Sequence, residues 1–215
     1  MEGLTLIQKI VVWVIPVIFA ITVHEVAHGW VAKLYGDKTA WMLGRLTLNP
    51  LKHIDLVGTI LVPGLMLAFT GFVFGWAKPV PVNMRNLRNP QHDMAIVALA
   101  GPVANLLMAV AWALFARIGI LLNIPEVSVP MALVGIAGIM INLVLALLNL
   151  LPVPPLDGSR ILSWLLPDSL SYYYNRFERY GFFLLLFLLW SHSLDTLLGV
   201  PLNIIKSFFF TLAGL

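Results

Sequence analysis

Six long stretches of this chain carry almost no charge: residues 10–23, 56–76, 94–116, 127–151, 181–190 and 201–215. The longest of them reach the ~20 apolar residues that an α-helix needs to cross a ~30 Å hydrocarbon layer. Of the 215 residues, 60% are hydrophobic and only 11% are charged, and the mean hydropathy is +0.93. A water-soluble domain of this length keeps a large polar skin and could not hide so much apolar surface. The reading that follows is an all-α polytopic membrane protein.

Within that frame, residues 6–34 read as a first helix. The leading end "MEGLTLIQK" carries one acid and one lysine, and no small-x-small cleavage site follows it; the segment therefore reads as a retained helix, not a removable leader. A polar stretch covers 35–55, and the apolar stretch 56–76 follows. The segment "AKPVPVNMRNLRNPQHD" then leads into a helix with Asn89 as N-cap, Pro90 at the first helical position and Asp93 in the first turn, a pattern that marks a helix start. This helix is expected to run to about residue 120. Another is expected over about 129–151, breaking at "LPVPPLDG", and one more over about 177–197. The run from Pro201 is short for a full crossing. No repeat or low-complexity tract divides the chain, so residues 1–215 read as a single membrane-embedded domain.

The first helix holds "HEVAH": His24, Glu25 and His28 in the spacing H-E-x-x-H. Histidines four apart lie on one helix face, one turn above the other, so both imidazoles can reach one ion. Glu25 sits beside them and can take a proton from an activated water. Ionisable groups inside an apolar segment are expensive and usually functional. A catalytic zinc needs a third protein ligand and one open position. There is no cysteine, so that ligand must be His, Asp, Glu or a backbone oxygen. Of the acids, Asp157 alone follows directly on an apolar helix through a proline-rich break, "NLLPVPPLDGSR". Prolines unwind the chain there, and irregular backbone at that depth is tolerated where it lines a cavity. Asp157 is thus the best candidate, and Asn149, on the helix before it, offers an amide to the same cavity.

With H-E-x-x-H in the first helix and Asn149-Leu150-Leu151-Pro152 followed by Leu156-Asp157-Gly158, the chain resembles the site-2 protease family of intramembrane zinc metalloproteases. A third family element, G-P-x-x-N, matches Gly101-Pro102-Val103-Ala104-Asn105. The resemblance covers about residues 8–165. It implies a core of three helices plus a re-entrant or hairpin segment, short membrane-associated β-strands and one or two C-terminal helices. It implies one Zn2+ per chain held by His24, His28 and Asp157, Glu25 as general base, and Asn149 holding the substrate or the developing oxyanion. The PDZ insertion of many relatives has no counterpart here, which makes the chain a minimal member.

Topology can be argued apart from the resemblance. His28 lies late in its helix and Asp157 just past the end of another, so the two helices must run parallel to share an ion, with an odd number of crossings between them. Residues 94–116 cross; residues 56–76, with Gly58, Pro63, Gly64, Gly71 and Gly75, then suit an excursion that returns to the same side. That arrangement gathers Lys33, Lys38, Arg45, Lys52, Lys78, Arg85, Arg88, Arg160, Arg176 and Arg179 on one side and leaves Lys9 and Arg117 on the other. The positive-inside rule then puts the metal toward the cytoplasmic face of a multi-pass cell-membrane protein, the cytoplasmic membrane of a prokaryote being the natural setting.

A transmembrane substrate must be unwound before attack, because its amides are closed in its own hydrogen bonds. In residues 78–84, Pro79 and Pro81 remove donors from one edge while Val80 and Val82 keep them on the other, and residues 44–49 alternate in strand fashion. Either segment could take an unwound substrate by strand addition. The lipid bilayer and a transmembrane protein are the expected partners, and nucleic acid is not. His53 reads as a polar loop histidine at the membrane surface, and His92 and His192 as surface residues. Asn105 serves either close helix packing with Gly101 or the support of a metal ligand. Three rival readings stand beside this one. A membrane metal transporter wants further polar groups along a path and leaves Glu25 without a role. A non-proteolytic metal-binding membrane regulator would keep a degenerate site, against which the intact H-E-x-x-H argues. Another membrane zincin would take its third ligand from a downstream glutamate, Glu126 or Glu178, of which Glu126 belongs to the opposite face.

Overall fold

The computed structural model describes residues 4–62, 64–65, 75–191 and 193–215. Helix α1 (Leu6–Leu34) opens on a reciprocal cap: the Thr5 hydroxyl accepts from Gln8 N–H, and the Gln8 side chain accepts from Thr5 N–H at 2.9 Å. Two of the orphan donors of a helix start are satisfied this way, which matters most where no water can reach them. A single turn, α2 (Thr39–Met42), follows. Helices α3 (Pro90–Leu122) and α4 (Pro125–Asn149) form an antiparallel pair joined at Asn123, whose φ of 52° suits an asparagine at a helix end. Three shorter helices, α5 (Asp157–Leu165), α6 (Asp168–Arg176) and α7 (Glu178–Trp190), lead to α8 (Ser193–Ala213).

Helices α1, α3, α4 and α8 are each long and apolar enough to cross a membrane, and the protein is a multi-pass membrane protein. Large apolar side chains such as Ile10, Phe19, Leu107, Ile118 and Phe208 stand exposed along them, as lipid-facing residues do. Lipid gives no hydrophobic drive between helices, so close packing of small residues has to hold the bundle. Ala109, Ala113 and Ala116 of α3 supply that surface, meeting Ile139 and Leu143 of α4 and Phe209 and Ala213 of α8. Gly135 lies so close to α3 that a Cβ there would fall 2.6 Å from that of Ala116.

Between α1 and α3 the chain is tied by polar contacts. Asp37 is buried and accepts from the Thr39 hydroxyl, Thr39 N–H (3.0 Å), Asn83 N–H (2.7 Å) and the Asn86 amide (2.9 Å). This carboxylate pins the end of α1 to the entry of α3. Residues 56–61 form a π-type turn, with Asp55 accepting from the amides of Val57 and Gly58. Trp76 N–H donates to the Gly58 carbonyl at 3.0 Å, and the Thr59 hydroxyl to the Trp76 carbonyl at 2.9 Å. Trp76 therefore lies beside the start of the stretch 56–76; its central residues 66–74 lie outside the described ones.

One expectation finds no support and two are revised. Among the described residues there is no strand: residues 44–49 hold a turn and bends, and residues 78–84 run without a ladder. What joins the two is the Arg45 guanidinium, which donates to the carbonyls of Lys78 (3.0 Å) and Pro79 (3.4 Å). The helix expected over 177–197 stops at Trp190, where Ser191 hydrogen-bonds back to Leu188 O and across to Ser193. Chain from Ser193 onward then belongs to α8, which passes through Pro201. Leu194 packs with Leu156 and Leu185 at one end of the bundle, while Gly214 abuts Arg117 at the other. The last segment thus traverses the whole bundle; interior prolines are tolerated in such helices because neighbours re-satisfy the freed carbonyl. Finally, His53 is no surface residue: it is buried, with Nε2 donating to Thr47 O at 2.9 Å and its carbonyl accepting from Lys78 N–H.

Candidate metal centre

Helix α1 presents His24 and His28 one turn apart, their rings perpendicular and 4.6 Å between centroids. Both are buried in spite of their polarity. Their Nε2 atoms stand 3.0 Å apart, and each lies close to Asp157 Oδ2, at 3.2 and 3.3 Å. Asp157 is the first residue of α5, where a carboxylate is favoured by the helix dipole. Its neighbour Gly158 lets the turn close on α4: a Cβ there would sit 2.2 Å from the Leu150 carbonyl oxygen. Tyr174 O–H donates to Pro152 O at 2.9 Å, and Arg160 pairs with Glu178 at 2.5 Å, so α6 and α7 hold the proline-rich turn from outside.

The outer ring nitrogens decide what the inner ones can do. His28 Nδ1 lies 2.7 Å from the Val97 carbonyl, which can only accept, so Nδ1 carries the proton and Nε2 keeps a lone pair. His24 Nδ1 lies 2.6 Å from Asn105 Oδ1, and Asn105 Nδ2 donates to the Ala20 carbonyl at 3.3 Å. That bond turns the amide oxygen toward His24, so His24 Nε2 is likewise unprotonated. Two lone pairs and a carboxylate oxygen thus converge with no donor among them, and among the described residues Asp157 Oδ2 is buried without a hydrogen-bond partner. A bound metal cation would satisfy all three atoms at once.

The donor set suits zinc. Tetrahedral bonds of ~2.0–2.1 Å require ligand atoms about 3.3 Å apart, and the separations are 3.0, 3.2 and 3.3 Å. Space for the rings comes from α3: a Cβ on Gly101 would fall 2.5 Å from both His24 Cε1 and His28 Nε2. Gly101 thus gives the rings room, and Asn105, one turn on, bonds a candidate ligand, so both sequence readings of this pair apply.

The three atoms open onto a cavity of about 810 Å³ that is also lined by Glu25, Trp76, Val80, Val82, Asn149 and Phe182. Glu25 is half-buried, and its Oε2 accepts from Val80 N–H at 2.7 Å, leaving the other oxygen for a ligand or water. Asn149 donates one amide N–H to Leu145 O at 2.9 Å and has a second to offer. Trp76 meets Phe182 edge-on at 5.9 Å across the mouth. All five candidate site residues thus share one cavity, while His53 and His92 stand apart from it. Val97 went unnoticed in the sequence because any residue supplies a carbonyl.

The family model for Peptidase family M50 matches residues 125–191. Three relatives share the name "Putative zinc metalloprotease". YwhC of Bacillus subtilis is 42% identical over 184 residues, covering 81% of this chain and 78% of that protein. Rip2 of Mycolicibacterium smegmatis is 34% identical over 143 residues, or 66% of this chain and 52% of the relative. MJ0611 of Methanocaldococcus jannaschii is 32% identical over 144 residues, covering 66% and 63%. No solved structure matches the chain. The resemblance carried by the H-E-x-x-H and Leu-Asp-Gly elements is therefore one of descent: the chain belongs to the Peptidase M50, or site-2 protease, family.

Proposed function

We propose that this protein is an intramembrane zinc endopeptidase, with His24, His28 and Asp157 as metal ligands, Glu25 as general base and acid, and Asn149 as a donor to the substrate carbonyl. The observation that carries the reading is the convergence of His24 Nε2, His28 Nε2 and Asp157 Oδ2 within 3.3 Å of one another, with Glu25 in the same cavity. A zinc ion held there supplies Lewis acidity toward a carbonyl oxygen and toward water. Glu25, with the oxygen that Val80 does not occupy, takes a proton from the attacking water as the C–O bond forms. It then delivers that proton to the leaving amine nitrogen as the C–N bond breaks. The free N–H of Asn149 faces the developing oxyanion.

Substrate strands are proposed to add along residues 78–84 in preference to 44–49. Support comes from direction: Val80 and Val82 both line the cavity, and Val80 N–H already points at Glu25. Among the described residues Val82 N–H has no hydrogen-bond partner, and an unwound substrate carbonyl would complete it. Trp76 and Phe182 offer apolar contact to the side chains of an entering transmembrane segment. The site is further proposed to face the cytoplasm, on the grouping of basic residues, with the chain in a cell membrane and residues 1–215 working as one domain.

The decisive test is Glu25→Gln in the purified full chain, assayed on a transmembrane reporter substrate. Zinc content should match that of the parent while cleavage falls to background. Cleavage near the parent rate would remove Glu25 from the mechanism, and loss of zinc would show that the change had disturbed the ligands instead. Because the chain has no cysteine, single cysteines near Arg45 and Arg85 report sidedness cleanly; labelling from opposite faces would refute the topology.

A further inference from the structure

We propose that Asn142, which touches neither a metal ligand nor the cavity, selects the ring tautomer of His24 through Asn105 and is therefore a positioning residue of the metal centre. Asn142 is wholly buried on α4. Its Nδ2 donates to the Gly138 carbonyl at 2.8 Å. A peptide carbonyl can only accept, so the Asn142 amide has one orientation, with Oδ1 turned toward α3. There it accepts from Asn105 Nδ2 at 2.9 Å. Asn105 in turn must direct Oδ1 to His24 Nδ1, 2.6 Å away. The three bonds have one polarity, running from His24 through Asn105 and Asn142 to a terminus that cannot reverse. The result is a proton on Nδ1 and a lone pair on Nε2, the atom that faces His28 and Asp157.

Without Asn142, the Asn105 amide keeps only the longer bond to Ala20 O, 3.3 Å. A flipped Asn105 would then donate to His24 Nδ1, move the ring proton to Nε2 and close that atom to a metal. Ordinary interhelical polar contacts hold helices together and leave ligand chemistry alone; the two roles therefore separate by experiment. Partners that directly orient metal ligands change affinity by roughly 10–100-fold when lost. Asn142 acts one bond further out, so the lower end, about tenfold, is expected.

The inference rests on His24, His28 and Asp157 being the ligands, and the test includes that premise. Zinc affinity is measured by chelator competition on the full chain in detergent for the parent, Asn142→Leu, Asn105→Leu, the double variant and Asp157→Ala. Asn142→Leu should bind zinc about tenfold more weakly, and the double variant should match Asn105→Leu alone, because the two act in series. Parent-like affinity in Asn142→Leu, or losses that add in the double variant, would overturn the inference. Parent-like affinity in Asp157→Ala would instead overturn the metal assignment. Should Asn142→Leu fail to fold, the isosteric pair Asn142→Thr and Asn142→Val decides. A threonine hydroxyl can donate to the carbonyl four residues back and accept from Asn105, so Thr should bind zinc more tightly than Val; equal affinities would refute the relay.

Discussion

Replacing Gly101 by alanine should separate metal binding from folding more cleanly than any change to a ligand. The added Cβ would lie 2.5 Å from His24 Cε1 and 2.5 Å from His28 Nε2, where ordinary contact begins at 3.4 Å. Each ring must therefore retreat by about 0.9 Å, while a metal site tolerates only about 0.2 Å in its ligand distances. Both imidazoles border a cavity of about 810 Å³, so they have somewhere to go. The helix itself favours the change: alanine is better than glycine in a helix interior by about 1 kcal/mol, which offsets part of the ~1–3 kcal/mol that overpacking costs. Metal-free stability should thus move by no more than about 2 kcal/mol. Zinc affinity should fall by up to about 100-fold, the upper end of what disturbed support of metal ligands costs. Chelator competition in detergent micelles gives the affinity, and thermal denaturation of the metal-free chain gives the stability. Parent-like zinc affinity would mean that the rings do not need the space Gly101 leaves. A stability loss well above 3 kcal/mol would mean that the rings cannot retreat.

Val82→Pro removes an N–H that has no partner among the described residues, without touching the Val80–Glu25 contact; turnover of a transmembrane substrate should fall at least tenfold while zinc content stays at the parent level, and parent-like turnover would remove strand addition along 78–84. Asp157→Ala should lose zinc and all cleavage, and zinc retained at parent affinity would show that the ion sits elsewhere. For Asp37, burial pushes the carboxyl up, but hydrogen bonds from Thr39, Asn86 and Asn83 outweigh it and hold it below its ordinary value. A carboxyl depressed on folding contributes stability that is complete above about pH 4 and is lost as pH falls through the folded value. Asp37→Asn should accordingly lower stability by about 1–3 kcal/mol at neutral pH, and the gap to the parent should narrow below about pH 4. A gap that stays constant from pH 7 to pH 3 would show that the carboxylate charge is not what pins this loop.

The parts of the fold that sequence reading recovered are those with a local cause. Helix α3 begins on Asn89-Pro90, as a proline of fixed φ at the first helical position dictates. Asp157 was reachable because a proline-rich break beneath an apolar helix is costly unless it does something. The misplaced boundary between α7 and α8 had a different origin. Pro201 carries the same local signal whether it opens a helix or interrupts one, and only the contacts of α8 with α3 and α4, far away in sequence, decide between them. The strand expectation ran out for a related reason, since alternation along 78–84 describes one segment and a ladder needs a second.

The metal centre shows the same divide, and it indicates where the chemistry is specified. Its inner atoms come from residue types that announce themselves, two histidines and an aspartate. Its tautomers are set by groups that do not: a Val97 carbonyl, which any residue could supply, and the Asn105 amide, whose oxygen and nitrogen differ only through what lies beyond them. For His28 that partner is the backbone of α3, so no side-chain substitution at Val97 should alter the proton on Nδ1. For His24 the partner is a side chain, and it is oriented from Ala20 on α1 and Asn142 on α4. One proposed ligand is thus insulated from sequence change and the other depends on two further helices being in register. Disturbance of the α3–α4 contact should therefore reach zinc binding through His24 before it reaches His28. In the Asn142 series, then, a loosened site should still show His28 coordinated after His24 has let go, which selective 15N labelling of the two imidazoles would reveal; simultaneous release of both rings would mean that the helices move as one body and that the amide relay selects nothing.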